Sequence, residues 1–331
     1  MLSKDIGIDL GSSNILIYIK EKGILLNEPS LIAIKSNEDK IVAVGKDVEK
    51  MIGKTPQNIK IIKPIKNGVI TNIELTEIMI EEFLKKIKLK NNLIKPKLLI
   101  GYPSNITDLE KEALKELSEK IGTKELYMED EGKLAAIGAG IKIEENTGNM
   151  IIDIGGEITN ITVLSLNNIV ISKTVPIAGN RFNEDIIKYI REKYKVLIGE
   201  TTAENIKCEF SNCYNPSTKK KYKIKGKDLI KGTPTIIGIT EKDIDDALNE
   251  SINKILVEIK STLEKLQPEL STDIVDKGIV LAGGSSLLKG LQEKMKEKLN
   301  IPILIAQSPK TCVIEGIEEL LKDVKKLNRI V

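Results

Sequence analysis

The chain has 331 residues, of which 41% are apolar and 30% charged, a composition typical of a soluble globular protein with one large or two smaller domains. It contains no histidine, which excludes a histidine general base and histidine metal ligands. The net charge of +3 does not indicate a nucleic-acid-binding protein, and we expect no nucleic-acid partner.

Cysteine usage and hydropathy favour the cytoplasm. The cysteines Cys208, Cys213 and Cys312 lack metal-type spacing, and no signal peptide is recognisable. No run reaches the roughly 20 apolar residues that a membrane-spanning helix needs. We expect a cytoplasmic protein that could meet a membrane only at its surface.

The first predicted element is a β-hairpin at residues 5–19, DIGIDLGSSNILIYI. Asp9 precedes its turn, and glycine in such a turn permits backbone conformations that point successive N–H groups at one anion. The candidate phosphate-binding residues of this turn are Gly11, Ser12, Ser13 and Asn14.

Helices and a strand follow this hairpin. Residues 76–88 have the apolar spacing of an amphipathic helix, and residues 95–104 are typical of a buried strand. Residues 105–122 predict a second helix, whose capping box joins Thr107 to Glu110.

A second hairpin is predicted at residues 150–166, where Asp153 stands before the turn as Asp9 does in the first. Its candidate phosphate-binding residues are Gly155, Gly156, Glu157 and Ile158. Two equivalent Asp-x-Gly hairpins, half a chain apart, predict two similar halves. If the halves face each other, the two turns would bind one ligand from both sides.

The last predicted elements are a long helix at residues 241–266 and a strand, Gly-Gly turn and helix at residues 279–295. The alternation of strands and helices along the chain predicts an α/β fold with mixed sheets flanked by helices.

Taken in chain order, the segments of this sequence resemble those of the MreB family of bacterial actins, within the actin/Hsp70/sugar-kinase ATPase superfamily. The resemblance runs almost end to end and includes the two hairpins. It also includes LNEPSLIAI, VGKDVEKMIGKTPQNI, PIKNGVI, AAIGAG, IAGNRFNEDII, LIGETTAENIK and LAGGSSLLKGL.

The resemblance implies an actin-like ATPase fold of two duplicated lobes around a nucleotide cleft, with four subdomains. The implied boundaries are residues 1–30, 75–140 and 311–331 for IA, 31–74 for IB, 141–178 and 246–310 for IIA, and 179–245 for IIB.

The resemblance also implies ATP and Mg²⁺ as ligands. Mg²⁺ needs only one or two carboxylates, and Asp9 and Asp153 suit that role, although Asp before Gly is also ordinary turn chemistry. The residues implied to contact adenosine are Glu204, Asn205, Ile206 and Lys207, and Gly283, Gly284, Ser285, Ser286 and Leu287. For Glu204 and Lys207, a plain salt-bridged helix face is the alternative.

Hydrolysis requires an oriented water, and the resemblance assigns that role to Glu131 with Thr159 as its polar companion. The family's Glu-Pro is Glu131-Gly132 in this chain, which we expect to loosen the turn.

Two substitutions fall in the second phosphate turn, where the family usually has Gly and Thr and this chain has Glu157 and Ile158. A carboxylate about 4 Å from the γ-phosphate would repel it by roughly 4 kcal/mol at an effective dielectric constant near 20. Alternatively, the side chain points away and only the backbone faces phosphate, which the intact neighbouring motifs favour. We expect nucleotide binding to survive and hydrolysis, coupled to polymerisation, to be slow.

A membrane contact is implied at KKIKLKNNLIKPK, residues 85–97, where Leu93 and Ile94 stand among lysines. Apolar residues flanked by lysine suit an anionic membrane surface. In the alternative, both residues simply begin the following strand and pack inside.

The implied role is a membrane-associated filament that organises cell-wall synthesis and cell shape at the inner face of the cell membrane. Its implied partners are other copies of itself, in polar protofilaments paired antiparallel, and RodZ-like and MreC/MreD-like membrane proteins. The alternatives are a nucleotide-binding structural paralogue with weak hydrolysis, or a small-molecule kinase of the same superfamily. An Hsp70-type chaperone would need a peptide-binding domain for which no residues remain.

Overall fold

The computed structural model describes residues 5–36, 40–87, 95–104 and 106–322. The chain divides into two compact units. Unit 1 comprises Met1–Lys142 and Thr311–Val331, and unit 2 comprises Ile143–Lys310.

The elements of both units follow one another in chain order, with unit 1 interrupted by unit 2. They are β1 Ile6–Leu10, β2 Asn14–Ile19, β3 Gly23–Pro29, β4 Ile32–Lys35, β5 Lys40–Val44, α1 Lys46–Glu49, β6 Ile59–Ile62, β7 Ile65–Lys66, β8 Val69–Ile70, α2 Ile73–Lys86, β9 Lys97–Tyr102, α3 Asp108–Ile121, β10 Glu125–Asp130, α4 Glu131–Gly138, β11 Asn149–Ile154, β12 Thr159–Ser165, β13 Asn168–Val175, α5 Gly179–Tyr194, β14 Val196–Leu197, α6 Glu200–Phe210, β15 Tyr222–Asp228, β16 Pro234–Ile239, α7 Glu241–Leu263, α8 Pro268–Lys277, β17 Ile279–Ala282, α9 Leu291–Leu299, β18 Ile303–Ile305 and α10 Cys312–Lys322.

Each unit contains a five-stranded sheet of the same design. The order is β3-β2-β1-β9-β10 in unit 1 and β13-β12-β11-β17-β18 in unit 2. In both sheets the first three strands form an antiparallel meander, and the remaining two are parallel to the central strand. The internal repeat predicted from the two hairpins is therefore present as a repeated topology.

The central strand of unit 1 is buried on both faces, which explains its apolar sequence. Ile6 and Ile8 belong to a core that includes Phe83 of α2 and Leu117 of α3. Gly7 meets α10, because a Cβ built on it would lie 2.3 Å from a methyl carbon of Ile317. Unit 2 has its own larger core, formed by its five-stranded sheet with α5, α7 and α9.

The predicted helices are present with shifted ends. The capping box at Thr107 begins α3, and a second box at Thr240 begins α7. After the Gly-Gly turn, the chain forms a 3₁₀ turn at Gly284–Leu287, and α9 begins only at Leu291. The predicted strand, Gly-Gly turn and helix are therefore present, with a 3₁₀ turn between the glycines and the helix.

In the described ranges, no helix is both long and apolar enough to cross a membrane. Leu93 and Ile94, predicted to contact a membrane, lie outside the described residues. The four subdomain boundaries stay a prediction.

Candidate functional site

The first predicted phosphate turn joins β1 to β2 in unit 1. Ser30 holds it from one side, since its Oγ donates to the Gly11 carbonyl at 2.5 Å and its N–H donates to the Ser13 carbonyl at 2.9 Å. The Gly68 N–H donates to the buried Ser12 Oγ at 2.6 Å. A Cβ at Gly11 would lie only 2.6 Å from the Asn14 carbonyl oxygen, so the turn requires glycine there.

Asp9 and Asn14 flank this turn. Asp9 is partly buried on β1, and its Oδ1 would be 3.8 Å from a Cβ built on Gly11. Asn14 is exposed, and its Nδ2 donates to Asn27 Oδ1 at 2.6 Å. The structure therefore brings the Asp9 carboxylate beside the predicted phosphate turn of the same unit.

Glu131, the predicted water-orienting residue, is the first residue of α4 and is 8% exposed. It lines a small depression in unit 1 together with Leu10, Gly68 and Tyr102. Leu10 directly precedes the first phosphate turn, and Gly68 donates to it. Glu131 is thus near that turn although more than one hundred residues separate them in sequence.

Gly132, the residue after Glu131, takes part in the N-terminal capping of α4. Asp130 caps α4, because its Oδ1 accepts from the Gly132 N–H at 2.8 Å and the Lys133 N–H at 3.2 Å. Ser104 donates to the other carboxylate oxygen. Proline in place of Gly132 would remove one of these donors. Glycine thus contributes a capping hydrogen bond that proline could not make, and the expected loosening of the turn stays a prediction.

The second predicted phosphate turn joins β11 to β12 in unit 2 and packs against the start of α5. The Gly179 N–H donates to the Gly155 carbonyl at 3.2 Å, and the Asn180 N–H donates to the Gly156 carbonyl at 2.7 Å. The turn carbonyls thereby cap α5, whose Ala178 N-cap makes no side-chain bond.

This packing fixes the direction of the turn's N–H groups. The described chain has no cis peptide bond, so each C=O points opposite to the N–H of the same peptide group. Because the carbonyls of Gly155 and Gly156 point toward α5, the N–H groups of Gly156 and Glu157 point away from α5. Two successive N–H groups directed to one side suit an anion.

Glu157 lies on the α5 side of the turn. Its Oε1 accepts a hydrogen bond from Asn180 Nδ2 at 3.3 Å. Of the two orientations considered for this side chain, the structure has the one in which the carboxylate points toward α5. Ile158 closes the turn, since its carbonyl accepts from the Gly155 N–H at 3.0 Å.

Asp153 is the penultimate residue of β11, beside this turn, and burial raises the pKa of its carboxyl to about 6. Gly283 packs against it, with a φ of +80° and a position where a Cβ would be 2.3 Å from Asp153 Oδ1. Among the described residues, no group of three or more Asp, Glu or Cys side chains could hold a metal ion. A single desolvated carboxylate still fits Mg²⁺, which binds through one or two carboxylates and retains waters.

The predicted adenosine residues of α6 form a network in unit 2. Lys207 is buried, and its Nζ donates to Glu204 Oε2 at 2.8 Å and to the Gly179 carbonyl at 2.9 Å. Asn183 Nδ2 donates to the same Glu204 oxygen at 2.7 Å. Burial alone would raise the pKa of Glu204, but the hydrogen bonds from Lys207 and Asn183 hold that pKa below its usual value. The salt bridge expected as an alternative is therefore present, and it touches α5.

The second adenosine segment adjoins the phosphate turn. Ser285 Oγ donates to the Gly155 carbonyl at 2.7 Å. Ser286 is fully buried and donates to the Gly283 carbonyl at 2.7 Å, whereas Gly284 and Leu287 are exposed.

The side chains of two predicted site residues are buried in unit 2. Thr159 is fully buried and donates to the Ile177 carbonyl at 2.6 Å. Ile206 is 1% exposed and belongs to the core of unit 2, while its neighbour Asn205 is exposed.

Sequence reasoning missed the residues that hold the turns. Ser30, Gly68, Gly179, Asn180 and Asn183 were not among the predicted site residues. The Ala178-Gly179-Asn180 sequence at the start of α5 was a usable signal, since small residues at a helix start suit close backbone approach. Nothing in the spacing of Ser30 or Gly68 indicates the turn they contact.

The MreB/Mbl protein family model matches residues 3–329. The chain belongs to the MreB/Mbl family. It is 44% identical to the cell shape-determining protein Mbl of Bacillus subtilis, over 99% of this chain and 98% of that protein. It is 40% identical to the cell shape-determining protein MreB of Escherichia coli K12, over 96% of this chain and 92% of that protein.

A solved structure agrees with the fold of this MreB/Mbl chain. The crystal structure of MreB5 of Spiroplasma citri bound to AMPPNP superimposes with a TM-score of 0.94 and 35% identity, covering 98% of each chain. The actin-like fold predicted from the sequence is confirmed. The assignment of individual residues to nucleotide or metal stays a prediction.

Proposed function

We propose that this chain is a cell-shape protein that binds Mg²⁺–ATP and assembles into actin-like filaments. Its curated relatives are named as cell shape-determining, and the similar MreB5 was crystallised with AMPPNP. The observation that carries the proposal is the second turn, whose successive N–H groups point away from α5 next to the desolvated carboxyl of Asp153.

In this proposal, phosphates bind the backbone of the turns at residues 11–14 and 155–158, and adenosine binds beside α6 and Gly283–Leu287. Bound Mg²⁺ would offset phosphate charge and would be held by Asp9 and Asp153. Glu204, kept ionised by Lys207 and Asn183, accepts hydrogen bonds from ribose hydroxyls or base donors.

Glu131 orients the attacking water or accepts its proton. Thr159 uses its hydroxyl hydrogen on the Ile177 carbonyl, so only its oxygen lone pairs can help to orient that water. We propose that hydrolysis is slow because Glu157 and Ile158 alter the phosphate turn. The rate of phosphate release by Glu157→Gly measures how much Glu157 slows hydrolysis. A rate equal to that of wild type would show that Glu157 does not slow hydrolysis.

Assembly is the decisive test. Light scattering and electron microscopy of the purified protein should show filaments after addition of Mg²⁺ and ATP, and none with Asp153→Ala. A protein that binds ATP and phosphorylates a small molecule without assembling would instead be a kinase of the same superfamily. Failure to bind any nucleotide would refute the proposal.

Membrane association and partners extend the proposal. We propose that the filament lies on the inner face of the cell membrane through Leu93 and Ile94 and organises wall synthesis with RodZ-like and MreC/MreD-like membrane proteins. The support is the apolar pair among lysines in the sequence, which suits an anionic lipid surface.

A further inference from the structure

The peptide group between Gly155 and Gly156 is held by two donors. Ser285 Oγ donates to the Gly155 carbonyl oxygen at 2.7 Å, and the Gly179 N–H donates to the same oxygen at 3.2 Å. The donors come from different elements, since Ser285 lies in the 3₁₀ turn after β17 and Gly179 begins α5. The serine hydroxyl makes the shorter of the two hydrogen bonds.

The Ser285 hydroxyl occupies a space that exists because residue 179 has no side chain. A Cβ built on Gly179 would lie only 2.7 Å from Ser285 Oγ, closer than a real Cβ approaches another atom. The hydroxyl hydrogen is used on the Gly155 carbonyl, so this side chain has no donor left for adenosine. The hydroxyl therefore serves the phosphate turn.

The orientation of the Gly155–Gly156 peptide group decides whether it attracts or repels an anion. Its carbonyl points toward α5, so the Gly156 N–H points to the opposite side, where it suits phosphate. A reversed peptide group would direct the carbonyl oxygen at the phosphates instead. Glycine on both sides tolerates the backbone conformations of both orientations, so the residues of the turn do not by themselves select one.

We propose that Ser285 is a positioning residue that keeps the Gly155–Gly156 peptide group in the phosphate-binding orientation. The inference deepens the proposed nucleotide function and rests on it. Ser285 belongs to a segment that the family resemblance assigns to adenosine, but the effect of its side chain is exerted through the backbone of the phosphate turn. Loss of the hydroxyl should therefore weaken binding of phosphates and not of adenosine.

The test compares AMPPNP with adenosine on the full chain, by competition with a fluorescent ATP analogue in the presence of Mg²⁺. Ser285→Ala should weaken AMPPNP binding by about fivefold, because the peptide group keeps only its longer hydrogen bond. Adenosine, which has no phosphate, should bind this variant within about twofold of wild type. Thr262→Val is the matched control, since this buried hydroxyl of α7 donates to the Glu258 carbonyl at 2.8 Å, and AMPPNP affinity should stay within about twofold.

The two ligands separate positioning of the turn from the other roles of a serine. If the Ser285 hydroxyl contacted adenosine or only stabilised unit 2, Ser285→Ala would weaken binding of both ligands by the same factor. Equal losses, an unchanged AMPPNP affinity in Ser285→Ala, or an equal loss of AMPPNP affinity in Thr262→Val would overturn the inference while leaving nucleotide binding intact. A wild-type protein that binds neither ligand would overturn the proposed function together with this inference.

Discussion

Asp153 combines a place beside the second turn with a carboxyl that the protein around it desolvates. Burial raises its pKa from 3.8 to about 6, so the folded protein resists ionising this group. Well below pH 4 the carboxyl is protonated in both folded and unfolded states and does not change the free energy of unfolding. Between pH 4 and 6 the folded state binds more protons than the unfolded state, so this group lowers the free energy of unfolding as the pH rises. The loss reaches its full value of about 3 kcal/mol above pH 6.

Asp153→Asn should therefore stabilise the protein in the absence of Mg²⁺ and nucleotide. The expected gain in free energy of unfolding is about 3 kcal/mol at pH 7.5 and about 1 kcal/mol at pH 4.5, measured by denaturant titration. The same variant should lose the stabilisation that Mg²⁺–ATP gives the wild type. An equal gain at both pH values would contradict the assigned desolvation.

Single residues also mark the limit of what the sequence predicts. Asp9-x-Gly11 and Asp153-x-Gly155 were recognisable because the turn and its chemistry are local. Ser30 and Gly68 were not recognisable, because hydrogen bonds between distant segments leave no spacing pattern. Asn180 Nδ2 donates to Glu157 Oε1 from a separate segment of the chain, a contact that the sequence does not show, and the sequence alone therefore left two orientations open.

At the level of elements, α4 and α10 cross in unit 1 through two glycines. A Cβ on Gly138 would be 1.9 Å from the Cys312 carbonyl oxygen, and one on Gly316 would be 2.0 Å from the Leu134 carbonyl oxygen. Backbone atoms cannot move aside cheaply, so the two helices approach at a distance that only glycine allows. Because Glu131 begins α4, this crossing also positions the predicted water-orienting residue.

Gly316→Ala should destabilise the protein by about 2 kcal/mol or more, as overpacking does, and should reduce phosphate release by displacing α4. Denaturant titration and a phosphate-release assay measure the two effects. Gly238→Ala on β16 is the matched control, since its nearest neighbour is the Lys221 side chain at 3.5 Å, and its cost should stay within about 0.5 kcal/mol. Equal costs for both variants would refute the close crossing.

Element ends were harder to predict than element types. Hydrophobic periodicity identified α2, α3 and α7 because each has one buried face. The 3₁₀ turn before α9 was not predicted, because Gly-Gly-Ser-Ser permits either a helix start or a tight turn.

For the whole molecule, the sequence predicted two similar halves, and the two five-stranded sheets share one topology. The prediction succeeded because a repeated hairpin is visible in sequence when both copies keep Asp and Gly. The smaller sheets, β5-β4-β6 and β14-β15-β16, differ between the units and have no repeated motif. Family resemblance, rather than periodicity, suggested their place as inserts.

Membrane binding is a property that we expect of the assembled molecule rather than of one subunit. Residues 87–96 join α2 to β9 and contain Leu93 and Ile94 among lysines. A pair of apolar residues is a weak anchor, but a filament presents many copies at once, so its avidity greatly exceeds the affinity of one subunit. Pelleting with anionic liposomes should therefore increase at least about tenfold when ATP and Mg²⁺ are added.

Leu93→Ser/Ile94→Ser should abolish this ATP-dependent pelleting while filaments still form without lipid, because the change removes the anchor and not the nucleotide site. Ile169→Ser/Val170→Ser is the matched control, since these adjacent residues on β13 are also apolar and exposed, at 36% and 43%. Neutral liposomes should pellet less protein than anionic ones, since the neighbouring lysines contribute through charge. If the Leu93/Ile94 variant pelleted as wild type does, the membrane contact would have to lie elsewhere on the chain.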